Sequence, residues 1–260
     1  MSPNKIVLCT GANQGLGYYV LQVAGLRYPE YTFILGSRDL EKGKEAAKTL
    51  KEAGVESEID VVQLDVLKDD DISAAVAYVE KKYGKLDVLV NNAGILGRKP
   101  GRDNLAEIRA AYDELLSTNL TSVAVVTEAF TELLYKSQDP KVISISSGLG
   151  SMHNALTKKM GRFPPYGCSK IGLNGLMVHF QVAENDRVKA GGVDSEKPRI
   201  RYYVCQPGAL HTSFSNYHPG LRMPDRGAEV IVRLVADDEK LYEGGSYWEY
   251  EDDKMKQVPW

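Results

Sequence analysis

The feature that most constrains the fold of this 260-residue chain is an alternation of two patterns. Seven short apolar runs read as strands: KIVLC (5–9), TFILG (32–36), DVVQL (60–64), LDVLV (86–90), KVISIS (141–146), IRYYVC (200–205) and GGSYWEY (244–250). Helical spacing falls between them, over 15–27, 40–53 and 69–84, in a long stretch reaching 136, and over 165–184. The third of these helices opens on Asp69-Asp70-Asp71 and closes on Lys81-Lys82, a charge order that suits the helix dipole. Strands separated by helices form βαβ units, whose strands lie parallel with both faces covered. The spacing therefore predicts an α/β fold, a Rossmann-type doubly wound parallel sheet with helices on both faces. A single domain is expected over 1–260, with its core over roughly 5–250. The polar stretch NDRVKAGGVDSEKPR (185–199) reads as a mobile surface loop.

Charge and cysteine usage narrow the partners. Thirty-two basic and 35 acidic residues give a net charge of -3, which points to neither nucleic acid nor an anionic membrane. Cys9, Cys168 and Cys205 are scattered, with no metal spacing and no disulfide framework, so no metal is expected and a reducing, cytoplasmic setting is. The first strand begins at Lys5, so no leader is expected, and no apolar run approaches about 18 residues. Asn119-Leu120-Thr121 matches a glycosylation sequon, read here as empty because no export signal is expected.

The first strand ends in a glycine-rich bend, TGANQGLG, and a helical run follows. Strand, glycine bend and helix is the context of a dinucleotide-binding turn, although the spacing here is Gly-x3-Gly-x-Gly. Gly11 permits the turn, Gly15 lets backbone approach a pyrophosphate, and Gly17 lets the helix pack on the sheet. The helix N-terminus then faces the phosphates. A Walker-type loop is excluded, since no Gly-Lys-Ser/Thr is present in the bend. The competing reading is a plain tight turn.

A second anchor falls about 20 residues on, where an NAD site carries an acid for the ribose 2′-hydroxyl. This chain has Ser37-Arg38 there. A hydroxyl and a guanidinium suit a 2′-phosphate, which favours NADP over NAD. The alternatives are that Arg38 is a solvated residue opening a helix, or that Asp39 neutralises it.

Five further segments follow in order: NNAG (91–94) after the fourth strand, TNL (118–120), ISISSG (143–148) ending the fifth strand, YGCSK (166–170), and QPGALHT (206–212) after the sixth. With these, the chain resembles the short-chain dehydrogenases/reductases, most of all their carbonyl-reductase-like members that use NADP(H). The resemblance covers roughly residues 5–250. Order carries it, because Tyr-x3-Lys occurs three times, at Tyr78/Lys82, Tyr166/Lys170 and Tyr250/Lys254. Only Tyr166 follows a strand ending in paired serines and opens a helix after Pro164-Pro165. Tyr78 belongs to a polar-faced helix and Tyr250 to an acidic tail.

The resemblance implies four catalytic residues, Asn119, Ser147, Tyr166 and Lys170. Carbonyl reduction needs a hydride, which the cofactor supplies, and a proton. A free tyrosine holds its proton too tightly near neutrality. Lys170 lies four residues further on the same helical face, and its charge is expected to lower the Tyr166 pKa. The resemblance adds that Lys170 contacts the nicotinamide ribose, that Ser147 donates to the substrate oxygen, and that Asn119 holds a water relaying protons to Lys170. It also assigns cofactor contacts: Asn13, Gln14 and Leu16 beside the phosphates, Asp65 and Val66 at the adenine, Asn92, Ala93 and Gly94 along the adenosine ribose side. Pro207, Gly208, Leu210 and Thr212 would close over the nicotinamide. Ser147 capping a strand end, and Asn119 satisfying helix backbone, are the bland alternatives.

Two departures from the family pattern stand out. Many NADP members carry a basic residue in the glycine bend where this chain has Gln14, so Arg38 would carry most of the discrimination. Eighteen residues separate Ser147 from Tyr166, more than the family usually has. The surplus HNALTKKMGRFPP (153–165) is expected to border the substrate pocket and to cover a surface used elsewhere for assembly, favouring a monomer or dimer over a tetramer. His153, Lys158, Lys159 and Arg162 make it basic, which reads as a solvated loop before an acid-binding one. A short lid, SFSNYHPGLRMP (213–224), suggests an open pocket walled by Phe214 and Tyr217. The expected activity is NADPH-dependent reduction of a small-molecule carbonyl. An NAD-dependent alcohol dehydrogenase, an imine reductase and a non-catalytic NADP-sensing protein are the alternatives.

Overall fold

Alternate residues of the first strand enter different cores. In β1 (Ile6–Thr10), Val7 and Cys9 join one buried cluster, while Ile6 and Leu8 join another on the opposite face. The computed structural model describes residues 4–101, 104–158, 160, 163–192 and 196–260. The following elements, in chain order, are α1 (Gly15–Arg27), β2 (Thr32–Ser37), α2 (Leu40–Glu52), β3 (Glu58–Gln63), α3 (Asp69–Tyr83), β4 (Val88–Asn91) and α4 (Leu105–Leu116). A π-helical turn (Ser117–Thr121) leads into α5 (Ser122–Leu134), then β5 (Lys141–Ile145), α6 (Met152–Thr157), α7 (Pro164–Ala190) and β6 (Arg201–Gln206). The chain ends with α8 (Pro224–Val235), β7 (Ser246–Glu251) and β8 (Lys254–Gln257).

Among the described residues, eight strands form one sheet of order β3-β2-β1-β4-β5-β6-β7-β8, parallel except for the β7–β8 pair. Helices α1, α2 and α8 cover one face through Val20, Leu21, Leu50, Ile231 and Leu234. Helices α3, α5 and α7 cover the other through Ile72, Val79, Phe130 and Leu173. Each such fully buried side chain contributes about 1.5–3 kcal/mol. The doubly wound parallel sheet expected from the alternation is the fold observed. Its strand order reverses between β1 and β4, and ligands of such sheets bind in the crevice beyond the carboxyl ends of the strands there.

The amino ends of the strands carry a buried ion network. Lys5 donates to Val235 O and pairs with Asp238. Lys141, fully buried, donates to Val235 O and Asp237 O at 3.1 and 2.9 Å. Arg201 binds both oxygens of Asp139 and Oδ2 of Asp237.

Three expectations change. First, the stretch 185–199 is not all loop, because α7 runs to Ala190. Glu184 anchors it by accepting from Arg187 Nε, Tyr135 Oη and Ile200 N, each at 2.9 Å. Second, the acidic tail is a hairpin. Asp252 and Asp253 take φ values of 51° and 57°, the two positive-φ positions of a tight hairpin turn, and β8 returns against β7. Tyr250 is buried there beneath the Arg233 guanidinium, 4.6 Å from its ring. Third, the long helix before β5 is interrupted at Asn119 by the π turn. Tyr78 and Lys82, the other unused Tyr-x3-Lys pair, both bind Asp60 Oδ2, at 2.7 and 2.5 Å.

Candidate active site

The glycine bend sits at the switch point. Gly11 and Gly15 have φ of +64° and +57°, where a side chain would be strained. A Cβ on Gly17 would lie 2.6 Å from Asn92 Nδ2 and 2.8 Å from Ala12 Cα, so only glycine permits this approach. Thr10, not singled out in the sequence, stitches the bend to the segment after β4. Its Oγ1 accepts from Asn92 N and Ala93 N at 3.1 and 3.0 Å. Asn92 Nδ2 donates back to Thr10 O and Gly11 O. A hydroxyl residue as the last of β1 was the signal available for it.

Helix α1 begins with no side-chain cap and no acidic residue in its first turn, so its amino-terminal N–H groups and positive dipole end suit an anion. Asn13, Gln14 and Leu16 lie in this bend and first turn, with Gln14 exposed and Leu16 packed on the core. Thr212 Cβ stands 4.0 Å from where a Gly15 Cβ would be, which brings the segment after β6 over the bend. Pro207 is buried, Gly208 has φ of +84°, and the Leu210 side chain is packed against Gly227 of α8. The Leu210 carbonyl accepts from Thr212 N and Ser215 Oγ at 3.0 and 2.6 Å, so both its side chain and its carbonyl are held within the protein.

Further along the carboxyl edge, Asp65 and Val66 are half-buried just beyond β3. Ser37 departs from expectation. It is fully buried, and its hydroxyl donates to Asp39 O at 2.7 Å, so it is turned away from any ribose phosphate. Arg38 is exposed, and Asp39 does not neutralise it: the carboxylate caps α2, accepting from Glu41 N and Lys42 N at 3.1 Å each. Glycine cradle, uncapped helix end, exposed Arg38 guanidinium and the half-buried Asp65 form one band from β3 to β6. These donors and clearances fit a dinucleotide.

Tyr166 and Lys170 stand one turn apart on α7, each 6% exposed. Lys170 Nζ donates to Ile145 O at 2.7 Å and lies 5.9 Å from the Tyr166 ring centroid. Burial pushes the Tyr166 phenol up to about 12, while the Ser147 side chain, in hydrogen-bonding reach, acts the other way. Burial brings Lys170 down to about 8. The expectation that Lys170 lowers the tyrosine pKa is therefore not met here. The ammonium is drawn to a strand carbonyl, and desolvation of the phenol dominates. Ser147, in extended backbone after β5, also accepts from Leu149 N at 3.3 Å, capping the 3-10 turn Gly148–Gly150.

Asn119 is fully buried, and its side chain is taken up by protein. Nδ2 donates to Ile95 O and Ser169 Oγ at 2.9 and 3.1 Å, while Oδ1 accepts from Ile95 N at 2.9 Å. It ties the loop after β4 to α7. Gly94 sits at that junction: a Cβ there would be 3.0 Å from Asn119 Oδ1 and 3.8 Å from Lys170 Nζ. Asn174, four residues beyond Lys170, accepts from Ser146 Oγ at 2.6 Å and donates to Gly150 O at 2.9 Å. Its spacing of four from Lys170 on one helix face was a readable signal.

Phe163 and Phe214 flank Tyr166, with ring centroids 6.3 and 6.0 Å away. Tyr217 does not share that wall: it packs edge-on against His211 and lines a cavity of about 210 Å³ with Gly15 and Tyr19. The surplus segment before Tyr166 forms α6, which Ser151 caps. His153 and Lys158 are exposed there, while Lys159 and Arg162 lie outside the described residues. Among the described residues no group of His, Cys, Asp and Glu is placed to hold a metal, and no helix is long and apolar enough to cross a membrane.

A doubly wound sheet with a glycine cradle at its switch point and a buried tyrosine–lysine pair beside it defines a dinucleotide-linked oxidoreductase. A family model described as short chain dehydrogenase matches residues 5–218. A short-chain dehydrogenase/reductase of Aspergillus fumigatus is 53% identical over 260 residues, covering 100% of this chain and 98% of its own. The chain belongs to the short-chain dehydrogenase/reductase family. Among solved structures it is similar to an NADPH-bound carbonyl reductase from chicken fatty liver, with TM-score 0.79, 22% identity and 99% of each chain covered. It is also similar to a 7α-hydroxysteroid dehydrogenase complexed with NADH, with TM-score 0.74 and 18% identity, covering 94% of this chain and 91% of that one.

Proposed function

We propose that the chain is an NADPH-dependent reductase of a ketone, aldehyde or related carbonyl in a small organic substrate. The observation that carries this reading is geometric: the buried Tyr166 hydroxyl lies within hydrogen-bonding reach of the Ser147 side chain, with Lys170 Nζ 5.9 Å from the Tyr166 ring centroid. A nicotinamide cofactor held along the glycine bend and the Asn92–Gly94 segment would supply the hydride. Tyr166 Oη gives its proton to the carbonyl oxygen, which is far more basic once it carries alkoxide charge. Ser147 Oγ donates a hydrogen bond to the same oxygen and stabilises that charge. Lys170, when protonated, stabilises the phenolate that Tyr166 leaves behind. Asn119 holds the loop carrying Gly94 against α7 and so sets the space beside Lys170 Nζ.

NADP(H) is the favoured nucleotide because Arg38 is exposed while Asp39 is occupied in capping α2. The chicken enzyme's NADPH agrees with this, whereas the hydroxysteroid dehydrogenase holds NADH. The test is nucleotide consumption by purified protein, with NADPH and NADH in parallel, across aldehydes, quinones, cyclic ketones and cyclic imines. The reading requires NADPH-dependent turnover of a carbonyl that Tyr166→Phe removes. Turnover by that variant at the wild-type rate overturns it. Faster alcohol oxidation with NAD, or reduction of imines alone, would reassign the reaction.

A further inference from the structure

The carbonyl oxygen of Ser147 accepts two hydrogen bonds. One is local, from Gly150 N at 2.7 Å. The other crosses from β7, two strands away from β5 in the sheet, from Tyr247 Oη at 2.6 Å. Tyr247 lies in β7 and is fully buried, and the Ser146 side chain is also within hydrogen-bonding reach of its phenol. Nothing in the sequence pattern joins residues 147 and 247.

Tyr247 is itself held by residues 258–260. Val258 N donates to Tyr247 O at 2.8 Å, and the Trp260 ring stacks on the Tyr247 ring with centroids 5.5 Å apart and planes at 27°. The same residues grip the segment that follows Ser147. Pro259 O accepts from Ser151 Oγ at 2.5 Å, and Trp260 O accepts from His153 N at 3.0 Å. Residues 147–153 are thus fastened to β7 and to residues 259–260 beyond β8 on one side, and to α7 through Asn174 on the other.

This segment needs fastening. The turn after Ser147 contains Gly148 and Gly150, and glycine leaves backbone free to reorient. The direction of Ser147 Oγ follows its backbone, and a displacement of about 1 Å at a reacting centre can cost about 100-fold in rate. We propose that Tyr247, held in place by Trp260, is a positioning residue for Ser147: its hydroxyl fixes the serine backbone so that Oγ faces the carbonyl oxygen beside Tyr166. The proposal rests on the role given to Ser147 above.

Tyr247→Phe is the test, because it keeps the ring, the stack and the buried apolar area while removing only the hydroxyl. Amide exchange over 147–153 is expected to quicken about tenfold, and kcat to fall about tenfold, with KM for NADPH within about twofold. Trp260→Ala should reproduce the exchange change, and Trp260→Phe, which preserves stacking, should restore it. Unchanged exchange in Tyr247→Phe overturns the proposal, as does faster exchange with wild-type kcat. A lowered melting temperature with unaltered kcat assigns the hydroxyl a structural role only and also overturns it. If the wild-type chain reduces no carbonyl, the functional reading falls, while the exchange data still decide whether Tyr247 holds Ser147.

Discussion

Lys170 Nζ and Ile145 O, 2.7 Å apart, join α7 to the last residue of β5 at the point where Ser147 leaves the sheet. The lysine is therefore a strut between two elements as well as a charge. Lys170→Met removes both, and turnover should fall by about 10²–10⁴-fold. Tyr166→Phe should lose turnover to a similar extent yet bind NADPH as the wild type does, since it removes a proton and no cradle atom. Titration of nucleotide fluorescence separates the two; tight binding retained by Lys170→Met would deny the lysine any part in the cofactor site.

Arg38 faces solvent alone because its neighbours are occupied, Ser37 with Asp39 O and Asp39 with the start of α2. Arg38→Ala should weaken NADPH by about 1.5–3 kcal/mol and NADH hardly at all. Calorimetry with both nucleotides checks this. Equal weakening would make Arg38 a general electrostatic contributor.

Gly17 and Gly175 make a matched pair. Alanine at 17 meets Asn92 Nδ2 at 2.6 Å and backbone at 2.8 Å, whereas at 175 it meets nothing within 4 Å. Gly17→Ala should cost about 1–3 kcal/mol through overpacking. Gly175→Ala, exposed inside α7, should add about 0.5–1 kcal/mol through helix propensity. Urea unfolding of the two variants should therefore shift in opposite directions.

Lys141 gives stability a pH dependence with a definite sign. Burial brings its ammonium down to about 8, so between about 8 and the ordinary lysine value of about 10.4 the folded chain binds fewer protons than the unfolded one. Below that window both states are protonated and the burial penalty is fully present. Raising pH through the window relieves it, and stability rises. Lys170 contributes in the same direction. Lys141→Met should make the change in urea midpoint from pH 7.5 to 9.5 less positive than in the wild type, since Lys170 still adds to the rise while Cys9 and Cys205, whose thiols burial pushes up, oppose it. Parallel profiles for wild type and variant would show that Lys141 keeps its proton on folding.

Much of this was legible in the sequence because it is local. The strand–helix rhythm, the glycine bend and the one-turn spacing of Tyr166 and Lys170 are each written within a few residues. Thr10, Asn174 and Tyr247 were missed because their partners come from other elements, and only the sheet order brings residues 147 and 247 together. Ser37 misled for a similar reason. A serine before an arginine suits a phosphate until its hydroxyl finds the backbone of Asp39. Likewise, spacing places Lys170 beside Tyr166, but only the position of Ile145 O decides which way the ammonium turns.

The β7–β8 hairpin has a consequence for life in a crowded cell. A parallel sheet ending on β7 would offer Tyr247 and Trp248 along an open row of backbone donors and acceptors, an invitation to any passing strand. Instead the outermost strand is four residues long, carries Lys254 and Lys256, and is tied to β7 by a two-aspartate turn. Short, charged margins of this kind discourage intermolecular β-pairing. The chain supplies its own border on this side of the sheet, a margin made of lysines and a tight turn.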